Sequence, residues 1–115
     1  MIRADANLPQ LGKIALLTDV ALLRAREVKE PNHFSHTRPD GREFFTAFDD
    51  IGLERRFVGE NLGEGHASPT EVVQAWMDST IGHRENLLNR EFGNLGVGVT
   101  INNDGRLYWV QMFMN

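Results

Sequence analysis

Apolar residues fall at Ile14, Leu17, Ala21, Ala25 and Val28, three or four apart, and Leu16, Val20 and Leu23 widen the same stripe. This period predicts a largely buried helix from about Gly12 to Lys29. Pro31 ends it, because proline disfavours helical backbone in the residue before it and donates no hydrogen bond. Asn32–Arg38 then reads as a loop, and Pro39-Asp40-Gly41 has turn chemistry. Phe44, Phe45, Phe48 and Ile51 fit one face of a short helix at about Arg42–Ile51, closed by Gly52. From Arg56 to Gly65 the chain is too glycine-rich for a helix and reads as strand or extended segment. Ser68-Pro69-Thr70-Glu71 has the form of a capping box with proline at the first helical position, and Val72, Val73, Trp76 and Met77 follow at helical spacing. A helix from Pro69 to about Ser79 follows. Gly82 interrupts it, and His83 to Asn89 can form further turns. Val97, Val99 and Ile101 alternate with Gly98 and Thr100, Asn102-Asn103-Asp104-Gly105 is a hairpin turn, and Leu107 to Phe113 returns as a strand. Helices covering an antiparallel sheet, an α+β fold, are expected.

The 115 residues suit one domain, so residues 1–115 are read as a single unit. Twelve Lys and Arg against 16 Asp and Glu leave a net charge of −4, so no positive field draws a nucleic-acid backbone. No apolar run approaches the roughly 20 residues needed to span a bilayer. Met1-Ile2-Arg3-Ala4-Asp5 has no apolar core of a secretion signal, so the chain reads as soluble. With no cysteine, thiolate nucleophiles, disulfides and thiolate zinc sites are excluded.

Candidate chemistry starts with the four histidines at 33, 36, 66 and 83, which titrate nearest neutrality. His36 precedes the turn at Pro39–Gly41, and His83 lies beside Gly82, where backbone or ligand could come close. Either could instead bond only to local backbone. Glu60 shares strand parity with Val58 and Leu62, which points its carboxylate toward the core unless a glycine-assisted bulge turns it out. His66 is expected at the surface, and Trp76 and Trp109 in the core.

Five segments in order carry a resemblance. They are Phe34-Ser35-His36-Thr37-Arg38-Pro39-Asp40-Gly41, Gly59-Glu60-Asn61-Leu62, Trp76-Met77-Asp78-Ser79 with Gly82-His83-Arg84-Glu85-Asn86-Leu87-Leu88, Leu95-Gly96-Val97-Gly98-Val99, and Tyr108-Trp109-Val110-Gln111. Together they resemble the bacterial branch of the CAP superfamily, the cysteine-rich secretory, antigen 5 and pathogenesis-related proteins with their SCP-like extracellular domain. The resemblance runs from about Leu8 to Phe113.

It implies a three-layer α-β-α sandwich and a cleft lined by two histidines and two acids, a tetrad that in some members holds a divalent metal. His36 and His83 match the histidines and Glu60 the acid of the Gly-Glu-Asn motif. The second acid's position is Ser79, with Asp78 beside it, so weak and reversible zinc binding through His36, His83 and Glu60 is what the resemblance implies. One extra residue stands at Thr80-Ile81 before Gly82-His83-Arg84, and only seven residues precede Leu8, which reads as a truncated first helix. A dimer that covers the resulting gap is expected.

The expected function is an extracellular or cell-surface binding module. Its cleft, drawn from His36, Glu60, His83, Asn61, Ser79 and Asp78, would take a peptide, lipid or glycan with no required cofactor, nucleic acid or membrane span. A metal-assisted hydrolase using His36, His83 and Glu60, with Asp78 or Glu64 completing the ligand set, is the alternative, and a purely structural domain the third.

Overall fold

The computed structural model describes residues 2–80 and 82–115. Met1, in the segment read for a secretion signal, and Ile81, half of the extra residue pair, lie outside the described residues. The elements in chain order are α1 (Ile2–Asp5), α2 (Ala15–Val28), α3 (Thr46–Ile51), β1 (Val58–Glu64), α4 (Pro69–Met77), α5 (His83–Leu88), β2 (Asn94–Ile101) and β3 (Leu107–Met114).

The three strands form one antiparallel sheet in the order β1-β3-β2, with Glu60 opposite Met112 and Gly98 opposite Val110. Because side chains alternate along a strand, this register sorts the sheet into two faces. Leu62, Tyr108, Val110, Met112 and Met114 form one core with Leu17, Val20, Ala21, Ala25 and Val28 of α2 and Phe48 of α3. Trp109 and Phe113 form the other with Val72 and Trp76 of α4, Leu87 of α5 and Phe92. Helices therefore cover both faces of the sheet, and the fold is an α-β-α sandwich of the α+β class.

The apolar stripe of α2 lies on β2 at a distance that only glycine permits. A Cβ at Gly98 would stand 2.5 Å from the carbonyl oxygen of Ala21, and one at Gly96 would meet that of Leu17. Thr100, two residues further, donates from its hydroxyl to the carbonyl of Ala25 at 2.8 Å. Four residues of helix advance ~6 Å and two of strand ~6.6 Å, so Leu17, Ala21 and Ala25 step along the strand together with Gly96, Gly98 and Thr100.

Ser68 caps α4, its Oγ accepting from the amide of Glu71 at 3.2 Å, while the Glu71 carboxylate accepts from the amide of Ala67 at 2.8 Å. Trp76 is buried and donates from Nε1 to the carbonyl of Leu62 at 2.8 Å. Two expectations need correction. The helix placed at Arg42–Ile51 begins only at Thr46, because residues 37–43 are held as a tight reverse turn: Thr37 bridges Glu43, and the amide of Arg38 donates to the carbonyl of Arg42 at 2.7 Å. His66 is half-buried rather than exposed, its Nδ1 without a partner among the described residues and its carbonyl accepting from Trp109 Nε1 at 2.8 Å.

The segment before α2 is tied down by Arg3. Its guanidinium donates to the carbonyls of Pro9 at 2.8 Å, Leu87 at 3.0 Å, Asn89 at 3.1 Å and Phe92 at 3.3 Å, which fixes α1 against the end of α5. Among the described residues no helix is long and apolar enough to cross a membrane.

Candidate functional site

The site lies along the outer edge of β1, where the layers on the two faces of the sheet meet. Glu60 points to the α2 face, as its parity with Leu62 predicts, and its side chain is fully buried. Arg24 of α2, equally buried, donates from Nε to one carboxylate oxygen at 2.7 Å and from Nη2 to the other at 3.2 Å. Its remaining donors reach the carbonyl of Ser35 at 2.6 Å and the Glu27 carboxylate at 2.8 Å. Burial works against the charge of Arg24, but the hydrogen bonds and charges of Glu60 and Glu27 outweigh it and raise its pKa.

His36 is half exposed, and its Nδ1 stands 2.8 Å from the Glu60 oxygen that also receives Arg24 Nη2. A carboxylate ionised beside an arginine can only accept, so Nδ1 of His36 carries the proton of this bond. That assignment leaves Nε2 as the unprotonated nitrogen of the neutral ring, and Nε2 has no protein partner among the described residues. The ring also meets Phe44 edge to face, with centroids 6.0 Å apart.

The loop that carries His36 is braced by a second buried arginine. Arg38 donates to Glu27 at 2.9 Å, Asp50 at 2.7 Å and Thr46 Oγ1 at 3.1 Å, which joins the loop to α2 and α3. The hydrogen bonds that Arg38 donates to Glu27, set against burial and reinforced by Asp50, raise the pKa of Arg38 far above the usual guanidinium value. The hydrogen bond that Arg38 donates to Asp50 holds the Asp50 carboxyl below its ordinary range.

His83 comes from the other layer, as the first residue of α5 after Gly82, whose φ of +107° suits glycine. Its Nδ1 is 3.1 Å from Ser79 Oγ, and its carbonyl accepts from Asn61 Nδ2 at 3.1 Å. Burial lowers the pKa of His83, and the neighbouring charge of His36 lowers it further, against a smaller opposing effect of Glu85. Asn61, fully buried, also donates to Gln111 at 3.3 Å, and Asn86 donates to the carbonyl of Glu60 at 3.2 Å and to Asn61 Oδ1 at 2.9 Å.

His36, Glu60, His83, Asn61 and Ser79 are therefore joined through short contacts. Asp78 is not part of them: it sits exposed at the end of α4, where its carboxylate accepts from Gln74 at 3.0 Å. Glu64 faces Arg106 at 3.6 Å. Among the described residues no group of three or more His, Cys, Asp or Glu side chains is arranged to hold a metal ion. Both Glu60 oxygens are taken by Arg24 and His36, so Glu60 suits the role of orienting an imidazole better than that of a direct ligand.

Arg24 and Arg38 escaped the reading of the sequence. Arg24 lies on the buried stripe, four residues after Val20 and four before Val28, and a charged residue at such a position signals a buried partner. A separate apolar groove of about 540 Å3, lined by residues that include Leu11, Val73, Leu95 and Val97, lies against β2 and reaches Leu87 of α5 and Gln111, the partner of Asn61.

Comparison with known proteins agrees with this architecture. The profile of the CAP family, described as the cysteine-rich secretory protein family, matches residues 1–113. The chain is 35% identical over 98 residues to the uncharacterised protein YkwD of Bacillus subtilis (strain 168), covering 85% of this chain and 37% of YkwD. It is 29% identical over 114 residues to the uncharacterised membrane protein YlbC of the same strain, covering 99% of this chain and 31% of YlbC. The chain thus spans about a third of the length of these relatives. Among solved structures, an extracellular protein containing a SCP domain from Bacillus anthracis str. Ames superposes with a TM-score of 0.88 at 32% identity, over 99% of this chain and 36% of that one. An outer surface protein of Borrelia burgdorferi, at 24% identity, shares the fold with a TM-score of 0.88 over 99% of this chain and 84% of its own. From the order of its motifs, its sandwich and these matches, the chain belongs to the CAP family of cysteine-rich secretory proteins.

Proposed function

We propose that the chain is an extracellular or cell-surface binding module whose cleft at the outer edge of β1 takes a hydrogen-bonding ligand, a peptide, lipid headgroup or glycan, on His36 and His83. The extracellular placement rests on the printed descriptions of the Bacillus anthracis and Borrelia burgdorferi proteins. One observation carries the binding reading: the Arg24–Glu60 pair holds His36 through Nδ1 and leaves Nε2 without a protein partner among the described residues. His83, whose lowered pKa favours the neutral ring, adds a second imidazole from the other layer of the sandwich. Neutral imidazoles offer a nitrogen acceptor to a hydroxyl or amide donor, while half-exposed Phe34 and Phe44 supply apolar surface near His36.

Zinc binding is the second reading, favoured by the His36 Nε2, which has no protein partner among the described residues. His36 and His83 would be the ligands, with Glu60 fixing the His36 ring, and a bound divalent ion would supply Lewis acidity toward a water or carbonyl. A ligand set of two imidazoles makes such a site weak.

The test is titration of the chain with a chitooligosaccharide, a short neutral peptide and a lysolipid, following the His36 and His83 ring signals by NMR. Binding of one class that saturates, shifts both rings and is lost in His36→Ala supports the reading. Saturable binding that leaves both rings unmoved overturns it.

A further inference from the structure

β2 is the second edge of the sheet, opposite the edge that carries the histidines. Its first residues are covered from outside by the chain leading into α2: the amide of Leu95 donates to the carbonyl of Gly12 at 2.9 Å, and the amide of Gly12 donates to the carbonyl of Gly93 at 2.8 Å. Since Leu95 points its backbone outward, so do Val97, Val99 and Ile101, because backbone groups alternate direction along a strand. Beyond Gly12 nothing among the described residues accepts from these three amides or donates to their carbonyls. Their side chains are exposed as well, Val97 by 42%, Val99 by 40% and Ile101 by 56%. The whole strand, Asn94–Ile101, contains no charged residue and no proline, the devices by which sheet edges ordinarily resist pairing.

We propose that this open edge is a self-docking surface, on which two copies of the chain pair their β2 strands antiparallel about a two-fold axis at Val99. The pattern is self-complementary in that register. Val99 meets Val99 of the second copy, and Val97 meets its Ile101, so about six backbone hydrogen bonds form and the exposed apolar side chains stack on one face. Charge fits the same register. Lys13, directly after the residue that blocks the edge, faces the hairpin turn of the second copy, which carries Asp104. Both side chains are exposed, and neither has an ion-pair partner in its own chain among the described residues. The symmetry makes this opposite-charge contact twice. This surface is independent of the histidine cleft, and because the paired strand is short, the dimer is a weak one.

The experiment is sedimentation velocity on the wild-type chain over a concentration series to the millimolar range, with amide chemical shifts recorded in parallel. The wild type is expected to dimerise reversibly, with concentration-dependent shifts at Val97, Val99 and Ile101. Val99→Lys, which puts two ammonium groups against each other on the axis, is expected to weaken dimerisation about tenfold or more. Lys13→Glu and Asp104→Lys are each expected to weaken it, and the double charge swap to restore it, which no general loss of stability would do. Leu16→Lys, an equal change at an exposed site on α2, is the control and leaves dimerisation unchanged. A strict monomer, dimerisation indifferent to Val99→Lys, a charge swap that fails to restore it, or edge amides that move only on adding an unrelated extended peptide would each overturn the proposal.

Discussion

Arg24 and Glu60 face each other at 2.7 Å between α2 and β1, both side chains withdrawn from solvent. Each charge is kept there by the other, with Glu27 and the Ser35 carbonyl completing Arg24 and His36 completing Glu60, and His36 receives its orientation as a consequence. Removing one partner leaves a buried charge unpaired, whereas replacing both by apolar groups of similar volume can be almost neutral. Arg24→Met is therefore expected to cost about 3–5 kcal/mol. The double variant Arg24→Met with Glu60→Leu should recover most of this while releasing the His36 ring. Denaturant midpoints of the two single variants and the double check it, and additive losses would contradict the coupling.

A pH dependence follows from His83. Its folded pKa lies below the ordinary 6.5, so the unfolded chain binds the proton more readily than the folded one. The contribution is present in full above about 6.5 and is lost as pH falls from there through the lower folded pKa. Thermal midpoints of the wild type should drop over that window, and His83→Gln should drop less. Parallel curves for the two proteins would show that His83 titrates as it does in the unfolded chain.

Much of the architecture was legible because it rests on local rules. The α2 stripe, the Ser68–Glu71 cap, the turn at Asn102–Gly105 and the inward parity of Glu60 each follow from spacing and residue type alone, and each is found, except that Leu16, read as part of the stripe, is 43% exposed on the outer side of α2. What was hidden depends on partners distant in sequence. Arg24 and Glu60 are 36 positions apart, and Arg38 reaches Glu27 and Asp50 from opposite directions along the chain. Phe44 and Phe45 have helical spacing, yet they lie outside α3 because the Thr37–Glu43 bridge and the Asp40 carboxylate, which accepts from the amide of Arg42 at 3.0 Å, commit the preceding residues to a turn. Asp78 stands next to the position the resemblance assigns to an acid, but Gln74 holds it at the surface of α4.

The glycines of β2 give a prediction of the opposite kind, in which adding one methyl group does harm. A Cβ at residue 98 would press on the backbone carbonyl of Ala21, which cannot rotate away as a side chain could. Gly98→Ala should destabilise the chain by about 1–3 kcal/mol by forcing α2 off the sheet. A denaturation midpoint equal to that of the wild type would mean that the helix yields freely.

Trp76 combines burial with a hydrogen bond to the carbonyl of Leu62. Trp76→Ala should cost about 3–5 kcal/mol, since it removes a large ring from the core below β1 and leaves that carbonyl unpaired. Chemical denaturation measures this, and a loss under about 1 kcal/mol would assign the ring to ligand contact instead.

Zinc separates the two readings of the cleft. With His36 and His83 as its only imidazoles and Glu60 engaged by Arg24, the site should bind zinc weakly, and Ser79→Glu should tighten binding by adding a carboxylate beside His83. Calorimetric titration of the wild type, His36→Ala and Ser79→Glu checks it. Equal affinity in all three would place the metal elsewhere.

The most direct test of the cleft is the proton on the His36 ring. Long-range nitrogen–proton correlation NMR distinguishes the two ring nitrogens, and at a pH where the ring is neutral the Arg24–Glu60 pair requires the proton on Nδ1 and a lone pair on Nε2. The spectrum should show Nδ1 protonated, with Nε2 as the nitrogen that shifts when ligand or zinc is added. A ring protonated on Nε2, or one exchanging freely between the two forms, would contradict the account.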